Sequence, residues 1–245
     1  MSISRGRARI GVLVPFTNSN LEPDLALLLP PGCSLHVARM GGYDRDAIPD
    51  AAQMAGLGSA ALEEPLRLLA GVRPDVILYG CTSATLTHGP VFDANLAARV
   101  EALSGAKTVT AAGALVQGLR ALGLGGIAFA SPYLAEINAQ AIAFLAESGI
   151  ETLSQAGVDE ALDNEGQGAL TPDRVYDLAR RADSDAAEGL VLSCTDMRSL
   201  ETVARLEADL GKPVVCSNQA LAFAALSHLG LAAADYPAGQ LLASL

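Results

Sequence analysis

The chain has 245 residues, of which 51% are hydrophobic and 18% charged, and its formal net charge at pH 7 is -11. This composition excludes intrinsic disorder, collagen-like repeats and small disulfide scaffolds, and it is typical of a globular protein of enzyme size. Only 16 basic residues oppose 27 acidic ones, so no nucleic-acid partner is expected, and an anionic ligand has to be held by backbone amides and neutral donors.

Eight short apolar runs alternate with segments of helical periodicity, a pattern typical of βαβ units and parallel sheets. The predicted strands are residues 8–14, 35–40, 76–80, 108–111, 127–130, 150–153, 190–193 and 213–216. The connections are long enough for crossover helices, for example at 91–103, 113–122, 134–147 and 173–182. The sequence therefore predicts an α/β fold.

The second half of the chain resembles the first. The strand at 76–80 leads into Cys81-Thr82, and the strand at 190–193 leads into Cys194-Thr195, 113 positions later. Such a repeat predicts two similar Rossmann-like lobes with parallel four-stranded sheets, related by pseudo-twofold symmetry, with the active site in the cleft between them. We expect residues 1–118 and 218–245 to form the N-terminal lobe and residues 119–217 the C-terminal lobe.

The sequence contains no pattern typical of a membrane span, a metal site or a nucleotide-binding site. No stretch reaches the ~18 consecutive apolar residues of a membrane span. Residues 1–5 run into a strand without the apolar region of a signal peptide, which predicts a cytoplasmic protein. The four cysteines have no CxxC spacing, the three histidines form no ligand pattern, and no Gly-rich phosphate loop opens a helix, so we expect no metal and no cofactor.

Two of the cysteines are candidates for catalysis. Cys81 and Cys194 each follow the carboxyl end of a strand, where parallel α/β sheets bind ligands. The N–H groups of the next helical turn are expected to lower the pKa of each thiol and stabilise the thiolate. A lone cysteine is more often a small buried hydrophobe, which is our interpretation of Cys33 and Cys216. The matched Cys-Thr pairs favour chemistry for the other two.

Neutral polar residues near the same strand ends offer donors for an anion. Thr82 and Ser83 present hydroxyls and amides in a first helical turn, although helix capping explains them equally well. Asn18 and Asn20 follow the first strand, and we expect one to cap the next helix and the other to bind a carboxylate.

Ser131, Pro132 and Tyr133 repeat this arrangement after the fifth strand. We expect Ser131 to cap a helix that starts at Pro132, and Tyr133 to reach over the cleft as a phenol donor. A tyrosine that caps the core is the alternative. Asp196 and Arg198 follow the second Cys-Thr pair, and we expect both on a helix surface, with contact to the ligand as the alternative.

Six segments of the chain form a recognisable set. They are Ile10-Gly11-Val12-Leu13-Val14-Pro15 with Asn18, Tyr79-Gly80-Cys81, Ala112-Gly113-Ala114-Leu115-Val116, Pro132-Tyr133, Asp163-Asn164 and Leu192-Ser193-Cys194. The set resembles the aspartate/glutamate racemase superfamily, and within it the maleate cis-trans isomerases and arylmalonate decarboxylases. The resemblance implies a nucleophilic Cys81, an acid or base at Cys194, and carboxylate binding by Asn18, Tyr133 and Asn164. Thr82, Ser83 and Thr195 complete the expected substrate-binding set.

The resemblance also ranks the reactions. In arylmalonate decarboxylases the position that matches Cys81 is a glycine, so retention of both cysteines favours a cofactor-independent maleate isomerase that works by thiolate addition and an enediolate. Thr82-Ser83 resembles the decarboxylases instead, and decarboxylation of a malonate and two-thiol racemisation of a carboxylic acid remain alternatives. A small-carboxylate binding protein is the non-enzymatic alternative. The apolar stretch 25–29 suits a homodimer interface as well as a core.

Overall fold

The computed structural model describes residues 6–41 and 44–245, so the prediction for residues 1–5 lies outside the described residues. The elements of the first half are β1 (Ala8–Pro15), α1 (Leu21–Leu28), β2 (Cys33–Met40), α2 (Ala51–Gly58), α3 (Glu63–Ala70), β3 (Val76–Tyr79), α4 (Thr82–Leu86), α5 (Gly89–Ser104), β4 (Lys107–Thr110) and α6 (Ala111–Ala121). Those of the second half are β5 (Gly126–Ser131), α7 (Ala135–Glu147), β6 (Glu151–Gly157), α8 (Asn164–Gly168), α9 (Pro172–Ala182), β7 (Gly189–Leu192), α10 (Leu200–Leu210), β8 (Val214–Cys216), α11 (Ser217–Leu229) and α12 (Gly239–Ala243).

The strands form two parallel four-stranded sheets with equivalent orders, β2-β1-β3-β4 and β6-β5-β7-β8. The predicted α/β fold with two similar lobes is therefore confirmed. In each sheet the order reverses between the two central strands, β1 and β3 in one and β5 and β7 in the other. Open α/β sheets bind ligands at the carboxyl ends of strands beside such a reversal, and the predicted site residues follow these four strands, except Asn164, which follows β6.

Helices cover both faces of the central strands. All four residues of β3 and all four of β7 are buried, which explains their uninterrupted apolar sequences. Gly80 follows β3 at a point where a Cβ atom would lie 2.2 Å from Cδ2 of Leu21. Glycine is therefore required for the chain to pass α1 and deliver Cys81 to the end of the sheet.

All eight predicted strands are present, and the largest difference is in β6, which runs to Gly157. The predicted helices correspond to α5, α6, α7 and α9. The prediction of a helix that starts at Pro132 is wrong, because α7 begins at Ala135 after Leu134. Ser131 is still the last residue of β5, and its hydroxyl instead accepts a hydrogen bond from the Tyr133 N–H (3.2 Å) and donates one to Asn138 Oδ1 (2.5 Å).

The two lobes share an interface built by helices. α11 packs against α1, α6, β3 and β4 of the first half and also against β8. The boundaries proposed for the lobes stay a prediction.

The apolar stretch 25–29 is only partly exposed: Leu25 and Leu28 are buried in the core, and Leu27 between them is 45% exposed. A homodimer likewise stays a prediction. No helix within residues 6–41 and 44–245 has the length and apolar character needed to cross a membrane.

Candidate active site

A small cavity lies where the carboxyl ends of the two sheets meet. Its volume is about 40 Å3. All eight residues predicted to form the site line this cavity. The lining residues are Pro15, Thr17, Asn18, Pro49, Met54, Cys81, Thr82, Ser83, Tyr133, Ile137, Asn164, Gln167, Cys194, Thr195 and Asp196.

Cys81 lies between β3 and α4, at the position that caps the short helix. Its side chain is 5% exposed, and burial raises the pKa of the thiol. Three donors act in the opposite direction: the N–H groups of Ala84 and Ser83 and the Ser83 hydroxyl, whose oxygen is 3.7 Å from the sulfur. The expectation of a lowered pKa is therefore wrong, because desolvation outweighs the stabilisation that these donors supply.

The hydroxyls of Thr82 and Ser83 have partners within the protein. Thr82 Oγ1 donates to Ser217 Oγ over 2.9 Å, and Ser83 Oγ lies 3.0 Å from Met54 Sδ. The amide of Ser83 faces the Cys81 sulfur. Both residues thus border the cavity, but the Thr82 hydroxyl binds α11, the Ser83 hydroxyl contacts α2, and the Ser83 amide faces the thiol.

Cys194 follows β7 and has different neighbours. Its sulfur is 3.8 Å from Gln167 Oε1, toward which the S–H group points, and it accepts a hydrogen bond from the Asp196 N–H over 3.4 Å. Burial, followed by the charge of Asp196, raises the pKa of this thiol to about 12. Cys194 is therefore a protonated thiol at neutral pH, against the expectation of a stabilised thiolate.

Asn18 and Thr195 bridge the two lobes beside the cysteines. Asn18 Nδ2 donates to Thr195 Oγ1 over 3.1 Å, and that hydroxyl donates in turn to the Gly80 carbonyl oxygen over 3.0 Å. The oxygen of the Asn18 amide accepts from the N–H groups of Asn20 and Leu21. Asn18 therefore accepts hydrogen bonds from N–H groups at the start of α1, while its amide nitrogen reaches the cavity.

Asn20 binds protein groups rather than standing free for a carboxylate. Its Nδ2 donates to the carbonyl oxygens of Asp196 (2.7 Å) and Gly168 (3.0 Å) and to Asp196 Oδ1 (3.1 Å). The same carboxylate oxygen accepts from the N–H groups of Ser19 (2.8 Å) and Asn20 (3.1 Å). The expectation of a helix-surface Asp196 is wrong, since the residue is 9% exposed and its pKa is raised to about 6 by burial. Arg198 is not on a helix either, since it precedes α10, and it pairs with Glu201.

Tyr133 presents a buried hydroxyl to the cavity. The side chain is 6% exposed, and its oxygen has no hydrogen-bond partner among residues 6–41 and 44–245. Burial raises the pKa of this phenol well above 10, so it remains a neutral donor. A buried donor with no partner costs about 1–3 kcal/mol, which a ligand oxygen would recover.

Asn164 begins α8, and its Nδ2 donates to the Arg45 carbonyl oxygen over 3.1 Å. Asp163 caps this helix by accepting the Gly166 N–H over 2.7 Å. One helical turn after Asn164, Gln167 reaches the same cavity. We did not predict Gln167 from the sequence, although the spacing of three residues in a capped helix places both on one face.

The remaining cysteines stay outside the cavity. Cys216 is fully buried before α11, and Cys33 is partly exposed at the start of β2. His88 stacks on Phe92, with ring centroids 4.0 Å apart, and contacts the Ala55 carbonyl oxygen. Within the part of the chain that the structure describes, no three His, Cys, Asp or Glu side chains cluster as metal ligands do.

Known proteins match nearly the whole chain. The profile of a family described as arylmalonate decarboxylase matches residues 10–242. A maleate isomerase of Nocardia farcinica is 33% identical over 97% of this chain and 96% of its own length, and an arylmalonate decarboxylase of Bordetella bronchiseptica is 30% identical over 85% and 82%. A solved cysteine-to-serine variant of the Nocardia farcinica maleate cis-trans isomerase holds a covalently bound succinylcysteine intermediate; it has a TM-score of 0.86, 29% identity, and coverage of 96% of this chain and 98% of that one. The chain belongs to the arylmalonate decarboxylase family.

Proposed function

We propose that this chain is a cysteine-dependent cis-trans isomerase that converts maleate, or a closely related cis-enedioate, into the trans isomer. The observation that carries the proposal is the pair of thiols in one small cavity, with donors around Cys81 and an acceptor beside Cys194.

Cys81 is the nucleophile in this proposal. After the Cys81 thiol has released its proton to solvent, the thiolate forms a C–S bond to one alkene carbon, and the π electrons move into the carboxylate on the other carbon to give an enediolate. The former double bond is now a single bond and rotates. When the enediolate collapses, the C–S bond breaks, the electron pair returns to the sulfur, and the trans diacid leaves. The N–H groups of Ser83 and Ala84 favour the thiolate at both stages.

Cys194 acts as the acid in the same scheme. As a thiol, it donates its proton to the carbanionic carbon, which gives a succinyl adduct on Cys81, and the resulting thiolate removes the proton again before collapse. The succinylcysteine in the Nocardia farcinica enzyme supports such an adduct. Every atom and electron in this cycle comes from the substrate and the two thiols.

Neutral donors hold the substrate. The partnerless Tyr133 hydroxyl and the amide nitrogen of Asn18 face the cavity, and Asn164 lines its outer side. Because no lysine or arginine lines the cavity among the described residues, charge-assisted hydrogen bonds from neutral groups have to bind the carboxylates.

The first test is proton NMR of maleate with reduced enzyme in deuterated buffer. We expect the fumarate singlet to appear with the unaltered protein and with Cys33→Ser, which changes a cysteine outside the cavity, and to be lost with Cys81→Ala. Turnover of Cys81→Ala at the rate of the unaltered protein would overturn the assignment.

The binding role of Tyr133 has its own test. In Tyr133→Phe, loss of a hydrogen bond to a carboxylate worth about 1.5 kcal/mol should raise KM about tenfold. An unchanged KM would show that the phenol is a structural cap and not a substrate donor.

Decarboxylation is the second candidate, since a 30% identical relative is an arylmalonate decarboxylase and Cys194, with a pKa of about 12, is a protonated donor for an enediolate. Release of carbon dioxide from a disubstituted malonate would reveal it. Racemisation by the two thiols would instead place solvent deuterium on the α-carbon of a carboxylic acid, with no alkene needed.

A further inference from the structure

The two cavity cysteines differ in the kind of hydrogen-bond partner that each sulfur meets. The Cys81 sulfur faces two backbone N–H donors and the Ser83 hydroxyl, whose own proton points to Met54 Sδ. At Cys194, the N–H of Asp196 and the Tyr133 hydroxyl lower the pKa of the thiol, while the Oε1 atom of Gln167, at 3.8 Å, is an acceptor. Donors stabilise a thiolate, whereas an acceptor stabilises the S–H form.

The orientation of the Gln167 amide is fixed by a second contact. Its Nε2 donates to the Leu162 carbonyl oxygen over 3.3 Å, and an amide nitrogen cannot accept hydrogen bonds. The oxygen therefore faces the Cys194 sulfur. The side chain is 8% exposed and belongs to α8, which Asp163 caps, so the amide is held by the protein and cannot turn away into solvent.

We propose that Gln167 is a positioning residue: its amide oxygen accepts a hydrogen bond from the Cys194 S–H group, orients that group in the cavity and adds to the stability of the thiol form. This inference deepens the proposed function and rests on it for its catalytic meaning. The contact between Gln167 and the thiol itself does not depend on the identity of the substrate.

Two matched variants separate this role from a purely structural one. Gln167→Met keeps the length of the side chain and removes the acceptor, while Gln167→Glu keeps an acceptor and adds a negative charge beside the sulfur. Both variants lose the donor to the Leu162 carbonyl oxygen, so any effect of that loss is common to them. Opposite changes at Cys194 can come only from the group that faces the thiol.

The readout is the rate at which iodoacetamide alkylates Cys194, followed by mass spectrometry of the separated peptides between pH 8 and pH 10. A Cys81→Ser background prevents alkylation of the other cavity cysteine, and no substrate is present. The result therefore does not depend on whether maleate is turned over, and failure of this proposal is distinguishable from failure of the proposed function.

In Gln167→Met, we expect the thiol pKa to fall by up to about one unit. Since a thiolate of lower pKa is also less nucleophilic, the alkylation rate at a given pH should rise about threefold. In Gln167→Glu, the rate should fall by a similar factor. Rates that change in the same direction in both variants, or that do not change, would overturn the proposal. If Gln167→Met fails to fold, Gln167→Glu alone tests the proposal: an alkylation rate of Cys194 that is unchanged or higher in this variant would overturn it.

Discussion

Asp93 gives the protein a pH-dependent stability that is independent of the catalytic cavity. The residue lies on α5 and is 7% exposed. Burial raises its pKa from 3.8 to about 6, and the hydrogen bond with the Thr110 side chain offsets only part of this increase. Its Oδ1 atom has no hydrogen-bond partner in the described part of the chain. The ionised form is therefore poorly solvated in the folded protein.

The size of the effect follows from linkage. A carboxyl group whose pKa is higher in the folded state contributes stability below its unfolded-state pKa, and this contribution is lost as the pH rises through the folded-state pKa. The difference of about 2 pKa units corresponds to about 3 kcal/mol. Of this, about 2.5 kcal/mol should be lost between about pH 4 and pH 8, most of it below pH 7.

Asp93→Asn removes the titration while preserving the shape of the side chain. The free energy of unfolding, measured by urea titration at several pH values from 4 to 8, should therefore fall less with rising pH in the variant than in the unaltered protein. Asp185→Asn, at an exposed position, is the matched control and should leave the pH profile unchanged. Parallel profiles for Asp93→Asn and the unaltered protein would refute the reasoning, because they would show that Asp93 is solvated in both forms.

Two further predictions concern the contact between the lobes. Asp196→Asn should speed iodoacetamide alkylation of both Cys81 and Cys194 at pH 8, since the charge of Asp196 raises the pKa of both thiols. The control variant Asp93→Asn alters a carboxyl outside the cavity and should leave both rates unchanged. Equal alkylation rates in the two variants and the unaltered protein would contradict this prediction. Asn20→Ala removes the hydrogen bonds from its amide to the Gly168 and Asp196 carbonyl oxygens, and the free energy of unfolding in urea should drop by about 1–3 kcal/mol. A loss within experimental error would mean that water replaces these bonds.

Local patterns were sufficient to predict the scaffold and about half of the cavity lining. Apolar runs and their spacing predicted all eight strands, and the signal is most continuous in β3 and β7, which are buried on both faces. The repeated Cys-Thr pairs then placed Cys81 and Cys194 at equivalent strand ends. A position just after a strand end is a local property that the sequence encodes. The residues predicted on that basis border one cavity, as does Asn164, which only the family resemblance implied.

Contacts between distant segments decided the rest. Asp196 accepts hydrogen bonds from residues 176 and 177 positions away, and Gln167 lies 27 positions from the thiol that it contacts. No local periodicity encodes such pairs. The thiol pKa values were also outside the reach of the sequence, since the motif reveals the nearby N–H groups but not the burial that outweighs them.

The sequence by itself determined the two-lobed α/β scaffold and the placement of two cysteines at its strand ends, since both follow from residue order and periodicity. The tertiary structure alone decided that the two thiols differ, because each sulfur takes its partners from elements that only folding brings together. Gln167 of α8 faces Cys194, while the first turn of α4 surrounds Cys81. Two cysteines in similar sequence surroundings thus acquire different chemistry from the fold.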